Sequence, residues 1–270
     1  MDPLFAAIGD LIEVHFPVLR KPVRRNLARL TSAFLHVAAS VRFGYGGLRL
    51  TSIARALPDR ERFTFKSCYK WLSRFLKCRY FDPSGLAESM LRLILGRHPP
   101  PWAIVLIDQT TIDGVHVVNA ALPLEGRAVP VTWVDFEYPW KTLTPPSQNT
   151  IERYLLTWLA AAVPPGVRLL LVFDRGYARV ELVKDLNQAR QPFVIRAPTR
   201  VIVQAVVGGR RRRLSVGRLP HQTGTPIRYR HVLYHGHAAE PVDTVNASIN
   251  PMAGHRPTAL WSCARPCPKR

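Results

Sequence analysis

The chain has 270 residues, 47% of them hydrophobic, with 38 Lys and Arg against 18 Asp and Glu, a net charge of +20. That length and hydrophobic content belong to a globular protein of one large or two ordinary domains with a substantial core. Residues 1–100 carry 17 basic and 7 acidic side chains, residues 101–200 carry 10 and 9, and residues 201–270 carry 11 and 2. Two basic flanks thus enclose a nearly neutral middle. A basic surface implies a polyanionic partner, of which nucleic acid is the commonest. An arginine-rich codon bias accounts for part of the excess, but not for acids gathered in the middle.

Cys68, Cys78, Cys263 and Cys267 form no Cys-x-x-Cys pair and no zinc spacing. A reduced, intracellular protein without structural disulfides is expected. The first 22 residues lack a basic start and carry acids inside their apolar stretch, unlike a signal peptide. No segment approaches the ~20 apolar residues of a spanning helix. The expectation is a soluble, cytoplasmic protein, nucleoid-associated if it binds DNA, with no membrane partner.

Residues 1–97 have a helical period. Leu27, Leu30, Phe34, Leu35 and Val41 recur roughly on one face. A short helix within 48–57 and a polar break at 58–62 precede a second helix. In that helix Phe65, Cys68, Leu72, Phe75 and Leu76 form an apolar face, and Lys66, Lys70, Arg74 and Lys77 form a basic one. Helix, turn and basic helix is how helix-turn-helix proteins present a helix to the major groove. The competing reading is a solvated charged face. "RHPPPW" at 97–102 breaks the pattern and marks a boundary.

From residue 102 the period changes. "WAIVLIDQT" reads as a buried strand running into Asp108. "VHVVNAAL" and "RAVPVTWVDFEY" follow as strands joined through "PLEG". A Pro-containing loop leads to a helix with Ile151, Tyr154, Leu155, Trp158, Leu159 and Ala162 in a stripe. Next come the strand "VRLLLVF" ending on Asp174, a helix over about 178–190, and the strand "PFVIRA". The order β-β-β-α-β-α-β predicts a mixed sheet: an antiparallel meander followed by strands reached through helical crossovers. "RVIVQAVVGGRRRRL" reads as a hairpin with a Gly-Gly turn, basic at its tip. Residues 244–270 contain no acid, and their composition fits neither a packed helix nor a strand.

Asp108 and Asp174 each close an apolar run. Two carboxylates brought together at strand ends repel, and sharing a hard cation such as Mg²⁺ or Mn²⁺ relieves the repulsion. Such a site serves phosphodiester chemistry, because metals clamp the attacking and leaving oxygens. Taken singly, either aspartate is explained as well by a turn or a helix cap. Asp113, Asp135 and Glu137 are rivals; Asp113-Gly114 reads better as a turn.

"LIDQTTIDG", "GRAVP" at 126–130 and "LVFDRGYA", with the helical "TSIARALPDR...KSCYKWLSRFL", resemble the DDE transposases of bacterial insertion sequences, in the insertion-sequence-4-like group. The resemblance covers roughly residues 45–235. It implies an α/β fold: an RNase H-like mixed sheet, a helical N-terminal DNA-binding segment and a β-rich insertion. The implied domains are 1–97 (helical, helix-turn-helix-like), 102–198 (RNase H-like catalytic core), 199–243 (β-rich insertion) and 244–270 (a truncated or out-of-frame tail). Asp108 and Asp174 would be the first and second catalytic, metal-binding acids. The family's chemistry is Mg²⁺-dependent hydrolysis at transposon ends, then attack of the freed 3′-hydroxyl on target DNA. Its partner is double-stranded DNA, and a homodimer is an implied expectation. Expected DNA contacts are Lys66, Lys70, Arg74 and Lys77, then Arg127 and Arg175 within the motifs, and Arg211 and Arg212 in the hairpin.

The family also needs a third acid, a glutamate in a Tyr…Arg…Glu…Lys pattern on a late helix. The last glutamate here, Glu240 before Pro241, is a poor match. Poor or absent cleavage by this chain is therefore expected. Two other readings stay open: a non-enzymatic DNA-binding inhibitor of transposition, and a metal-dependent nuclease with Asp113 or Glu137 as third ligand.

Overall fold

The structure is a computed structural model that describes residues 3–41, 49–58, 60–78, 86–96, 99–137, 148–220, 227–234, 240–246 and 260–263. It divides into two compact units, Met1–Gly96 and Arg97–Arg270.

The first unit is helical: α1 (Pro3–His15), α2 (Lys21–Val41), α3 (Leu50–Arg55), α4 (Phe65–Leu76) and α5 (Ala87–Leu95). Its core gathers Ile12, Phe16, Val23, Leu30 and Ala33 with Ile53, Leu57, Cys68, Leu72 and Phe75. Thr64 caps α4, its hydroxyl accepting from the Ser67 amide at 3.2 Å, a bond whose loss costs about 1 kcal/mol. The expected apolar faces are corrected at their edges. Leu35 of α2 is exposed, and so are Phe65 and Leu76, because the buried arc of α4 is Cys68, Leu72 and Phe75. Residues 56–64 separate α3 from α4 and include a 3₁₀ turn at Arg60–Arg62. That connection is longer than the 3–4-residue turn of a helix-turn-helix.

The second unit carries all ten strands: β1 (Trp102–Ile112), β2 (Val115–Leu124), β3 (Arg127–Glu137), β4 (Arg168–Phe173), β5 (Phe193–Arg196), β6 (Ile202–Val207), β7 (Arg210–Ser215), β8 (Ile227–Tyr234), β9 (Glu240–Asn246) and β10 (Leu260–Cys263). Helices α6 (Gln148–Ala162) and α7 (Val180–Gln188) flank β4 in sequence. The hydrogen-bonded order is β3-β2-β1-β4-β5-β10-β9-β8-β6-β7. β1, β4 and β5 run parallel, and every other pairing is antiparallel. The fold is therefore mixed α/β, with a five-stranded mixed part and an antiparallel part beyond β5. In the β1–β2 hairpin Asp113 and Gly114 both have positive φ (49° and 81°), as a two-residue turn of matching twist requires. Gly208 and Gly209 do the same between β6 and β7.

Alternate residues separate the two sheet faces. Ala103, Val105 and Ile107 of β1, Leu169, Leu171 and Phe173 of β4, and Phe193 and Ile195 of β5 are buried. Both helices lie on that face. Gln148 of α6 donates to Gln109 Oε1 at 2.7 Å, and Arg153 forks onto Asp185 of α7 at 2.5 and 3.0 Å. The buried stripe of α6 is Ile151, Leu155, Leu159 and Ala162, whereas Tyr154 points to solvent, 63% exposed.

Two expectations are corrected. Strand β1 runs two residues past the expected "WAIVLIDQT", to Ile112, which still pairs with Val115, so Asp108 lies inside the strand and not at its end. The segment from 244 onward contributes strand structure after all. β10 bridges β5 and β9, with Trp261 paired to Arg196 and Val245, so backbone pairing was available to a composition that looked unsuited to it. Among the described residues, no helix is long and apolar enough to cross a membrane.

Phe193 is fully buried at the centre of this face. Phe193→Ala should cost about 3–5 kcal/mol in urea unfolding, while Tyr154→Ala should stay within about 0.5 kcal/mol. Equal losses would contradict the assignment of faces.

Candidate active site

The two aspartates meet through strand register. Ile107 of β1 pairs in parallel with Phe173 of β4, so the next residues, Asp108 and Asp174, lie side by side. Adjacent strands stand about 4.8 Å apart, which sets the spacing of these two backbones. Their side chains project away from buried Ile107 and Phe173, on the sheet face opposite α6 and α7. Both are exposed, Asp174 by 54%. A carboxylate at the end of a buried strand is therefore tolerated because its own side chain turns to water. Asp174 makes no capping bond to the 3₁₀ turn that follows it, so the cap explanation has no support in the geometry. Among the described residues, Asp108 Oδ1 accepts from the adjacent Gln109 amide alone, at 2.9 Å.

The register extends one strand further. Phe173 pairs with Ile195 of β5, placing Arg196 beside Asp174 on the same face, with Nη1 3.9 Å from Oδ1. Asp108, Asp174 and Arg196 thus form a row across three parallel strands. A pocket of about 550 Å³ opens beside Asp174 and is lined by Arg175, Arg196 and Arg200 among others. On the other side of the row, an open groove of about 630 Å³ runs over β1–β3, lined by Thr110, Val117, Asn119, Trp133 and Asp135.

Beneath the row, on the helix-covered face, lies a group that the sequence did not disclose. Glu152 of α6, 3% exposed, pairs with Arg179 and accepts from Gln148 at 2.9 Å. Burial pushes its carboxyl above the usual range, with Arg179 and the Gln148 bond opposing. The Tyr177 ring packs on Phe173 at 5.3 Å, and its buried hydroxyl has no hydrogen-bond partner among the described residues. Burial raises the Tyr177 pKa first, then the nearby charges of Glu152, Asp108 and Asp174. Tyr234 of β8 donates to the Ala178 carbonyl at 3.0 Å, fastening the loop that carries Asp174 to the antiparallel part of the sheet. The only sequence signal for Glu152 was a charged residue bordering the apolar stripe of α6.

The two aspartates offer oxygen ligands to a hard divalent cation, and Mg²⁺ commonly takes one or two protein carboxylates with its remaining positions filled by water and phosphate. The pair fits one such ion. Among the described residues, no three His, Cys, Asp or Glu side chains gather to hold a metal. Asp113 occupies the hairpin tip, five residues beyond Asp108 and so about 17 Å along the strand. Asp135 is opposite Val117, two strands from Thr110, roughly 12 Å from Asp108 by strand spacing. Glu137 is further out on the same strand. The side chain of Glu240 lies outside the described residues, but its strand, β9, is separated from β4 by β5 and β10.

Of the expected DNA contacts, Arg175 alone lies beside the carboxylates. Arg127 starts β3, paired with Leu124 at the opposite end of the strands. Arg211 and Arg212 are exposed on β7, the last strand in the sheet order, where charge also protects an open edge. Lys66, Lys70, Arg74 and Lys77 are all exposed on α4, in the other unit.

Neither a scan of protein-family models nor a search of curated proteins finds a match to this chain.

The buried Glu152 supplies a pH test. A carboxyl whose folded pKa is raised holds its proton more tightly when folded. Its contribution is complete below the unfolded value of about 4.3 and is lost as pH rises through the folded value. Urea unfolding of wild type and Glu152→Gln should therefore show the variant gaining on wild type as pH rises above about 4.3. A pH-independent difference would mean that Arg179 fully offsets the burial.

Proposed function

We propose that this chain is a DNA-binding protein of the DDE-transposase kind, whose Asp108 and Asp174 hold one divalent cation against a DNA phosphodiester. The parallel register that aligns these two acids on an open sheet face carries this reading. The strand order β3-β2-β1-β4-β5, antiparallel then parallel, supports an RNase H-like core. Mg²⁺ or Mn²⁺ bound there would supply Lewis-acid polarisation of a phosphate oxygen. The chain's own residues do the rest. The aspartates provide the anionic seat, Arg196 balances Asp174, and the exposed face around them leaves DNA room to approach. In the helical unit, Lys66, Lys70, Arg74 and Lys77 lie within one arc of α4. None pairs with an acid among the described residues. That arc is offered to duplex phosphates.

A second reading is favoured by one observation: no third carboxylate joins the pair among the described residues. On that reading the protein occupies DNA ends without cutting them. The two readings share DNA binding and differ in cleavage. Hydrolysis at transposon ends followed by strand transfer would need a further ligand for a second ion, so weak cleavage is expected of this chain.

Mn²⁺ titration followed by a metal-dependent cleavage assay on insertion-sequence end DNA tests the site. Wild type should bind Mn²⁺ weakly, and Asp174→Asn should lose binding while staying folded and no less stable to urea than wild type, since a repulsion of about 0.5–1 kcal/mol is relieved. Equal Mn²⁺ affinity in the two proteins would refute the metal seat, and strong cleavage by wild type would refute the binding-only reading. For α4, joint Lys70→Ala and Arg74→Ala should weaken duplex binding and flatten the log–log salt dependence by about 1.8, at roughly 0.9 per lost phosphate contact. An unchanged slope would show that this face is only solvated.

A further inference from the structure

The basic pocket beside Asp174 has a chemistry distinct from that of the acid pair. It lies where β4 and β5 end, between the Asp174–Gly176 turn and the 196–200 segment. Arg175, Arg196 and Arg200 line it, together with Thr199, and no acid among the described residues does. Arg196 faces Asp174 at 3.9 Å, but Arg175 and Arg200 are exposed and pair with no carboxylate among the described residues. Three arginines around one pocket, one of them loosely paired with Asp174, suit phosphate oxygens, which guanidinium groups bind bidentately. Backbone bonds fix one side of the pocket. Gly217 N donates to the Thr199 carbonyl at 2.8 Å and Val216 N to the Val201 carbonyl at 2.8 Å, holding the segment that carries Arg200.

We propose that Arg175, Arg196 and Arg200 form a phosphate subsite that grips the DNA backbone next to the phosphodiester presented to Asp108 and Asp174. The inference rests on the proposed reading and adds a direction to it. The gripped backbone lies on the β5 side of the carboxylate row, where the arginines are, and not over β1–β3, where Asp113 and Asp135 line the groove. Arg196 has two roles there. It offsets the charge of Asp174 when no cation is bound, and it is a donor to the neighbouring phosphate when DNA is present.

The test uses the full chain and a fluorescent DNA duplex, with anisotropy measured across a salt series, and compares Arg175→Gln/Arg200→Gln with wild type. The control is Arg168→Gln, whose guanidinium stacks on Trp102 at the far end of β4. The double variant should flatten the log–log salt slope by about 1.8, and the control should leave it unchanged. Arg196→Gln should weaken DNA binding yet tighten Mn²⁺ binding on the order of fivefold, since a cation beside Asp174 has been removed. A purely structural Arg196 would shift both affinities in the same direction, which would overturn its double role. If wild type binds DNA and Mn²⁺ but the double variant keeps the full salt slope, the subsite is wrong and the proposed function stands. If wild type binds no DNA, both fail together. Inorganic phosphate serves as a separate probe. Its displacement of DNA at micromolar concentration would identify a site for free phosphate and overturn the backbone subsite.

Discussion

The parallel, in-register pairing of β1 with β4 and of β4 with β5 is the constraint on which the site depends. Because side chains alternate along a strand, a slip of one residue would send Asp174 to the helix-covered face and leave Phe173 in water. The apolar pattern forbids that slip. Ala103, Val105 and Ile107 must share a face with Leu169, Leu171 and Phe173, and with Phe193 and Ile195. The same hydrophobic demand that fixes the core therefore places Asp108, Asp174 and Arg196 in one row on the other face. The polar row is a consequence of the apolar packing beneath it.

The opposite face holds that row still. Glu152 and Arg179 are joined under the sheet, Tyr177 packs on Phe173, and Tyr234 ties down the Ala178 carbonyl. Burial pushes the Tyr234 pKa up to about 12, so its hydroxyl stays protonated and keeps donating. The turn bearing Asp174 and Arg175 is thus anchored by α6, by β4 and by the antiparallel part of the sheet. A buried, paired Glu152 adds little net stability, but removing one partner would strand a charge, and this fixes the geometry more than it strengthens the fold.

Much of the strand order was legible because each strand announced itself by a short branched run bounded by turn residues: "AIVLI", "LLLVF" and "FVI". That Asp108 and Asp174 each follow an apolar run was legible for the same reason, but that Asp108 lies inside β1 while Asp174 lies just past β4 was not. Burial at element edges was not legible. Tyr154, Phe65 and Leu76 fit an apolar stripe in the sequence, yet they border the stripe and face water, because contact with the core spans a narrower arc than the pattern suggests. Arg196 and Glu152 could not be found from sequence either. Their roles come from pairing across strands and helices far apart in the chain, and a linear pattern does not encode that register. Strand β10 was hidden for a related reason: backbone bonds to β5 and β9 form it, whatever its side chains.

The central claim, that Asp108 and Asp174 act as one anionic seat, is tested most directly by a double-mutant cycle. Thermal unfolding of wild type, Asp108→Asn, Asp174→Asn and the double variant would be followed with and without Mn²⁺. Without metal, either single change should relieve the same repulsion, about 0.5–1 kcal/mol at this exposure, and the second should add nothing further. With Mn²⁺, only wild type should gain stability, so the coupling between the two positions changes sign. Strictly additive effects in both conditions would mean that the two carboxylates do not share a site.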